Sequence, residues 1–416
     1  MPRSPVSAAQ APNRGASRGL ADIVRVLIGS CPRALACIVL VLSAGIAPAQ
    51  TPPGVTRTEK TIISGGVERF YTVVTPNGLP PRSPAVVVLH GGGQNMRAIL
   101  EPDAPQFRWI ELALANGFAL LVPNGWNVQQ QDGGTNQQSW NDLRPSGDGN
   151  FSEQDDAGFI AEMLGIEAER LRLDPRAIFV TGSSNGGQMT HRMLIERSDL
   201  FAAGVSFIAN LPEADIPDPE TPRPILLVNG DADPLMPFEG GRTGGGIGEP
   251  VRSTVDSVAY FRRVLDADDP ELVSGTPLPD VDPADGTRAV LQRFFSPSGG
   301  AALVVFVRMF NAGHAVPVLP GDPVAPVPRA LVGVRCRDLR GIDLAWDFMA
   351  DFLPPPAADL NGDGAVSDLD LVLFVSEFVR FERGGEPGDA ALDFDDSGDV
   401  SVNDVITYVD AFLAQQ

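Results

Sequence analysis

Histidine is nearly absent from this sequence: among 416 residues only His90, His191 and His314 occur. A reaction that needs an imidazole base must use one of these three. Cysteine is as scarce, with Cys31, Cys37 and Cys336 the full set. The first two fall in an N-terminal segment with the character of an export signal, and the one that remains cannot form an internal disulfide, so stability has to come from an apolar core. No histidine lies near Cys336 in sequence, which argues against a thiol nucleophile. Basic side chains are outnumbered, 31 against 53 acidic, for a formal net charge of −22. Such a surface repels phosphate backbones and anionic lipid, so nucleic acid and membrane surfaces are poor partners. The apolar run at residues 34–47 falls short of the roughly 20 residues that a spanning helix requires.

What is present suits a packed protein. Hydrophobic residues make up 43% and charged residues 20%, and the length accommodates one large domain with a small appendage. Residues 1–49 carry arginines at 3, 14, 18, 25 and 33, then the apolar run, then Ala47-Pro48-Ala49 as a small-x-small cleavage site. They resemble a secretory signal peptide. Their removal takes five arginines and Asp22, a net +4, and moves the charge from −22 to near −26. The expectation is a secreted protein, extracellular, periplasmic or attached to the cell surface, with no membrane span after cleavage.

Residues 61–75 read as a hairpin turning at Gly65-Gly66. Continuous apolar runs at 85–89 and 118–122 have the pattern of strands buried on both faces, with a helix at 109–116 between them. Residues 126–152 form a long polar loop in which Trp126 and Trp140 are embedded, and a helix follows at 153–171 with acidic residues in its first turn. Further strands are expected at 178–181, 202–208, 225–228 and 302–310, and an amphipathic helix at 339–353. This alternation predicts an α/β domain over 56–353, a doubly wound and mostly parallel sheet with its ligand site at the carboxyl ends of the strands.

Chemistry concentrates where the strand at 178–181 ends. Gly182-Ser183-Ser184-Asn185-Gly186 is a G-x-S-x-G spacing between a strand and a helix, which permits a turn sharp enough to hold the Ser184 hydroxyl out of the sheet. A serine needs a base, and the base needs a carboxylate to fix its tautomer. His191 lies two turns beyond Ser184 on the same helix and should point at packing or solvent. His90 leads the run Gly91-Gly92-Gly93 and should shape that loop. His314, just past the strand at 302–310, is the base candidate. Asn229-Gly230-Asp231-Ala232-Asp233-Pro234 follows the strand at 225–228; Asp233 is the preferred acid and Asp231 its competitor. The order Ser184, Asp233, His314 is that of an α/β-hydrolase triad. Backbone N–H groups of Asn185 and of Gly92 or Gly93 are the expected oxyanion donors.

At 86–95, 155–160, 180–189, 229–237 and 312–317 the strings VVVLHGGGQN, DDAGFI, VTGSSNGGQM, NGDADPLMP and AGHAVP are similar to the secreted polyhydroxybutyrate depolymerase and feruloyl/acetylxylan esterase group of α/β hydrolases. The resemblance covers roughly residues 56–353. It implies ester hydrolysis through Ser184, Asp233 and His314 by an acyl-enzyme, with no cofactor for catalysis. Family members often carry a Trp after the catalytic histidine, where this chain has Ala315-Val316-Pro317. Trp126 and Trp140 are the substitute candidates for a substrate platform, or else anchors of the loop.

Pro354-Pro355-Pro356 opens a stiff linker, 354–358. Beyond it, DLNGDGAVSDLD at 359–370 and DFDDSGDVSVND at 393–404 repeat at a spacing of 34 and place oxygen ligands as an EF-type calcium loop does. The ligand set is Asp359, Asn361, Asp363, Ala365 through its carbonyl and Asp370 in one loop, and Asp393, Asp395, Ser397, Asp399 and Asp404 in the other. Two such loops, each followed by an apolar helical pattern, resemble a dockerin over 359–413. That implies two structural Ca²⁺ ions and a cohesin-type or cell-surface partner. Residues 354–416 hold 14 acidic and two basic side chains, so metal binding and folding should be coupled. The reading that results is a secreted serine esterase acting on polymeric esters, acetyl or feruloyl groups of xylan first and polyesters second. The rivals are a serine peptidase and a non-catalytic carbohydrate-binding or adhesion protein on a hydrolase scaffold.

Overall fold

The computed structural model describes residues 52–127, 137–144, 152–246, 248–267, 275–354, 360, 366–382, 394 and 400–413. The signal-like segment and most of the linker lie outside these. Val55–Ser64 (β1) and Val67–Pro76 (β2) form the expected hairpin, longer than its sequence pattern suggested, with Gly65 and Gly66 both at positive φ in the turn. Ala85–Leu89 (β3), Ala119–Pro123 (β4), Ile178–Ser183 (β5), Ala203–Phe207 (β6) and Ile225–Gly230 (β7) are buried along their whole length. Strands covered by helices on both faces have no use for alternation. Gly241–Arg242 (β8) and Pro250–Val251 (β9) make a separate small ribbon. Thr276–Pro277 (β10), Arg288–Phe295 (β11) and Ala302–Phe310 (β12) complete a ten-stranded sheet in the order β1-β2-β4-β3-β5-β6-β7-β12-β11-β10.

Pairings from β4 through β3, β5, β6 and β7 to β12 are all parallel, and the antiparallel strands sit at the two edges. The fold is therefore the doubly wound, mostly parallel α/β sheet that the sequence pattern predicts. From β3 the chain crosses to β4 on one side, while from β5 it proceeds to β6 on the other. A crevice opens at such a reversal, at the carboxyl ends of β3 and β5.

Period-2 geometry divides the apolar residues between two cores. Val86 and Val88 pack on one face with Trp109 of helix α1 (Arg108–Asn116) and with Trp346, whose ring stacks on Phe118 at 4.2 Å. Val87 and Leu89 pack on the other face with Met163 of α2 (Asp156–Leu171), Met189 of α3 (Asn185–Glu196) and Phe261 of α4 (Thr254–Val264). Trp346 belongs to α5 (Gly341–Ala350). Asp155 caps α2 by accepting the Gly158 N–H at 2.9 Å, and Ser253 caps α4 by accepting the Asp256 N–H at 2.9 Å. Helix α4 and strand β11 went unread in the sequence, although Ser253 with Asp256 is a capping pattern and β11 alternates buried with exposed positions. Cys336 is buried, and burial pushes its thiol up to about 11, which leaves it a packing residue.

In the tail, α6 (Asp368–Glu382) and α7 (Val402–Leu413) share a third apolar cluster of Phe374, Phe394, Tyr408 and Phe412. Phe374 and Tyr408, 34 residues apart, stack at 4.0 Å between ring centroids. Among the described residues no helix is long and apolar enough to cross a membrane.

His191 faces packing, one of its two expected environments, but it is fully enclosed. Its ring lies 5.4 Å from that of Phe261, and neither nitrogen has a partner among the described residues. Burial lowers its pKa to about 3, and that of the equally buried His90 to about 4. Both imidazoles are neutral when folded, whereas unfolding frees them to take a proton at any pH below about 6.5. Stability is therefore lost as pH falls from about 6.5 toward 4, at up to about 1.4 kcal/mol per pH unit for each histidine. Denaturant unfolding of His191→Leu at pH 7 and at pH 5 should show a shallower loss than the parent, and an unchanged difference would refute the assignment.

Candidate active site

The turn after β5 is a steric necessity. Ser184 has φ 57 and ψ −123, a conformation that L-residues rarely adopt, and it leads directly into α3. Its N–H donates to Phe207 O at 2.9 Å and its carbonyl accepts the Gln188 N–H at 2.9 Å, so the bend is clamped between β6 and the helix. A Cβ on Gly182 would sit 2.3 Å from Gly186 O, and one on Gly186 would sit 2.4 Å from the carbonyl oxygens of Leu89 and His90. Only glycine fits at either flank.

Two neighbouring strands deliver the partners of Ser184. β7 and β12 pair with Gly230 opposite Met309, so the loops that leave their carboxyl ends lie side by side. From the first comes Asp233, whose Oδ1 accepts the N–H groups of Leu235 and Met236, each at 2.8 Å. From the second comes His314. Gly313 precedes it with its N–H on Val334 O at 2.7 Å, packed so closely that a Cβ would fall 2.0 Å from Val332 O. His314 Nδ1 meets Asp233 Oδ2 at 2.6 Å and His314 Nε2 meets Ser184 Oγ at 2.8 Å. With Nδ1–H donated to the carboxylate, Nε2 is left to accept the serine proton. Asp231 is committed elsewhere: it is ion-paired with Arg308 at 3.0 Å and accepts the Asn311 N–H at 2.7 Å.

The glycine loop after β3 packs against this elbow. A Cβ on Gly92 would lie 3.4 Å from Asn185 Cβ. Gly93 was a candidate donor, but its N–H is spent on Gln138 O at 2.9 Å. Gly92 and Asn185 are left to supply donors at the site, and among the described residues neither N–H has a protein acceptor. His90 shapes this loop as expected. Its Nδ1–H donates to Gly91 O at 2.8 Å and its Nε2 accepts the Gly125 N–H at 2.9 Å, which fixes the neutral tautomer.

Of the two roles open to the tryptophans, platform and loop anchor, they fill the second. Trp140 is fully buried, with its indole N–H on His90 O at 2.8 Å and its ring 4.7 Å from that of His90. Trp126 is 8% exposed and exchanges backbone bonds with Ser139. Both are anchors of the loop, and neither offers a face to a substrate. In the tail, Asp359, Asn361, Asp363, Ala365, Asp393, Asp395, Ser397 and Asp399 lie outside the described residues. Asp370 and Asp404 are described and fully buried at the starts of α6 and α7. Asp370 accepts N–H groups from Ser367 at 2.8 Å and Leu360 at 2.9 Å, and Asp404 accepts that of Ser401 at 2.6 Å.

The carboxyl ends of a doubly wound α/β sheet thus bring a serine, a histidine and an aspartate into one hydrogen-bonded row. Among known proteins the chain is similar to carboxylic ester hydrolases. The chain is 28% identical over 307 residues to NocK, a proposed esterase of Nocardia uniformis subsp. tsuyamanensis, covering 71% of this chain and 83% of that protein. It is 29% identical over 179 residues to feruloyl esterase C of Emericella nidulans, covering 42% of this chain and 58% of that protein. It is 31% identical over 149 residues to poly(3-hydroxyalkanoate) depolymerase C of Paucimonas lemoignei, covering 36% of this chain and 32% of that protein. Thus the chain spans less than two thirds of the length of the latter two. Among solved structures, the acetyl xylan esterase from Aspergillus awamori aligns at a TM-score of 0.41 and 15% identity, over 63% of this chain and 95% of that one. No family model matches the sequence.

Asp231 and Asp233 should separate cleanly on substitution. Asp233→Asn should lower kcat by about 10⁴-fold by stranding the wrong His314 tautomer, whereas Asp231→Asn should lower the melting temperature and leave kcat within a few-fold. Steady-state kinetics on p-nitrophenyl acetate with a melting curve for each variant distinguishes the two, and equal activity losses would contradict the assignment.

Proposed function

We propose that this chain, a carboxylic ester hydrolase, works through Ser184, His314 and Asp233 on esters of plant cell-wall polysaccharide, feruloyl or acetyl groups on xylan. The observation that carries the mechanism is the chain of hydrogen bonds from Ser184 Oγ through His314 to Asp233, at 2.8 and 2.6 Å, with the serine held in the strained bend. As Ser184 Oγ attacks the acyl carbon, His314 Nε2 takes its proton and the carbonyl oxygen becomes an oxyanion facing Gly92 and Asn185. Collapse breaks the bond to the alcohol oxygen, which leaves with that proton, and Ser184 carries the acyl group. Water then repeats the sequence: His314 removes its proton, hydroxide adds to the acyl carbon, and the acid departs as Ser184 regains a proton. Asp233 stays ionised throughout and stabilises the imidazolium.

For the substrate, support comes from the names of the relatives, among which feruloyl and acetylxylan esterases recur. The Paucimonas lemoignei relative supports a second reading, depolymerisation of polyhydroxyalkanoate. Residues 1–49 direct export in this proposal, and the tail binds two Ca²⁺ ions through its repeated loops and docks to a cohesin-type or cell-surface partner. Exposed apolar side chains on both tail helices, Val372 and Val379 on one and Ile406 and Leu413 on the other, are consistent with such docking. Calcium would be held by Asp370 and Asp404 with their loops, where it would neutralise charge and order the module.

Ser184→Ala should abolish hydrolysis of p-nitrophenyl acetate, and full retained activity would sink the mechanism. Release of ferulate or acetate from xylan, set against release of hydroxybutyrate from polymer, decides between the two substrates. Calorimetry on the full chain should register two calcium ions, and far-UV circular dichroism a gain of helicity on adding them; no binding would remove the calcium reading.

A further inference from the structure

The loop that carries the Gly92 donor has its peptide planes fixed one by one, by its own His90 and Gln94 and by groups of a distant segment. In a trans peptide the C=O and the following N–H point in opposite directions. Gly91 O is held by the His90 Nδ1–H at 2.8 Å and by the Gln94 N–H at 3.1 Å, so the Gly92 N–H in the same plane is turned away from those two groups. The plane before it has His90 O bonded to Trp140 Nε1 at 2.8 Å and the Gly91 N–H bonded to Gln94 Oε1 at 3.0 Å. The plane after it has the Gly93 N–H on Gln138 O at 2.9 Å. Thus residues 138–140 grip the planes on both sides of the one that presents the donor.

The same segment grips the second donor. Asn185 Oδ1 accepts the Trp140 N–H at 2.7 Å, while Asn185 Nδ2 donates to Trp140 O at 3.2 Å and to the Asp142 carboxylate. Asp142 is itself paired with Arg144 at 2.6 Å, both nearly inaccessible to water. The segment is moored at its far side as well: the Asn141 N–H donates to Asp156 Oδ2 at 2.8 Å, and Asn141 O accepts from Arg192 at 2.6 Å. Asp156 in turn is held by the buried Arg69.

We propose that residues 138–142 act as an internal strap that sets the spacing between the two oxyanion donors, with Trp140 and the Asn185 side chain as its positioning residues. Trp140 touches both halves of the hole, the glycine loop through its indole N–H and the nucleophile helix through its backbone. Neither group meets the substrate. Their effect is confined to the state in which the oxyanion exists, because donors placed for a tetrahedral oxygen contribute little to binding a planar ester. The proposal rests on Ser184 being the nucleophile.

Trp140→Phe removes the indole N–H together with part of the buried ring, a packing loss that the melting curve registers, and Asn185→Ala removes the side-chain tether while keeping the backbone donor. Each should lower kcat by about 10- to 100-fold with KM within about twofold. Affinity for an aryl trifluoromethyl ketone, which forms a tetrahedral adduct with the serine, should fall by a similar factor. Asn185→Ser, whose hydroxyl can still accept the Trp140 N–H, should recover part of the loss. Melting curves and fluorophosphonate labelling of Ser184 in the parent enzyme accompany the kinetics. A parent that is not labelled refutes the nucleophile itself. A labelled parent whose two folded variants keep full kcat and full ketone affinity refutes the strap. A loss that appears in KM alone also refutes it.

Discussion

The close approach of two backbones, Gly182 and Gly186 against each other and against the end of β3, is the constraint on which the rest of the site depends. Three carbonyl oxygens occupy the space that side chains at these two positions would need. The approach has to be this close because β3 and β5 are adjacent, with Leu89 opposite Gly182, and the helix after β5 must start almost as soon as the strand ends. A left-handed Ser184 is the consequence. Such strain costs on the order of 1–3 kcal/mol and persists only where the surroundings over-determine it. Here buried strands on either side and backbone hydrogen bonds to Phe207 and Gln188 do so.

The same adjacency logic delivers the other groups. The five inner loops at the carboxyl ends of β3, β5, β6, β7 and β12 emerge in a row, and the first, second, fourth and fifth of them bear the glycine run, Ser184, Asp233 and His314. Four segments far apart in sequence need only a parallel sheet of the right order to meet. Much of that was legible: the inner strands are unbroken apolar runs, and each chemically informative string sits where such a run stops. What the strings could not say is which of several like groups is free to act. Asp231 and Asp233 differ by two residues and stand on the same turn, but Arg308 on the paired strand claims the first. Gly92 and Gly93 are alike as letters, and Gln138, some 45 residues on, claims the second. Such assignments depend on contacts between distant segments, to which local pattern is blind.

Tryptophan made the same point in the opposite direction. In a polar loop, an aromatic reads either as a platform or as an anchor, and composition does not choose between them. Trp140 is an anchor because its N–H has a buried acceptor in His90 O, a bond that an indole facing a substrate could not keep. Helix α4 and strand β11 were unread for a plainer reason. They lie in a stretch without chemical motifs, although their own caps and alternation carried the information.

Buried charge is concentrated around the strap. Arg69 with Asp156 and Arg144 with Asp142 are ion pairs removed from water, and pairs of this kind add little to net stability because desolvation offsets their attraction. Their value lies in geometry: an unpaired partner would be so costly that the alternatives in which the loop shifts are eliminated. Asp156 accepts the Asn141 N–H of the strap through the oxygen that Arg69 does not hold, and Asp142, within the strap, accepts the Asn185 amide through an oxygen it shares with Arg144. The position after His314 follows the same division of labour. Ala315 and Val316 are buried in the protein, so the small residues there face the core.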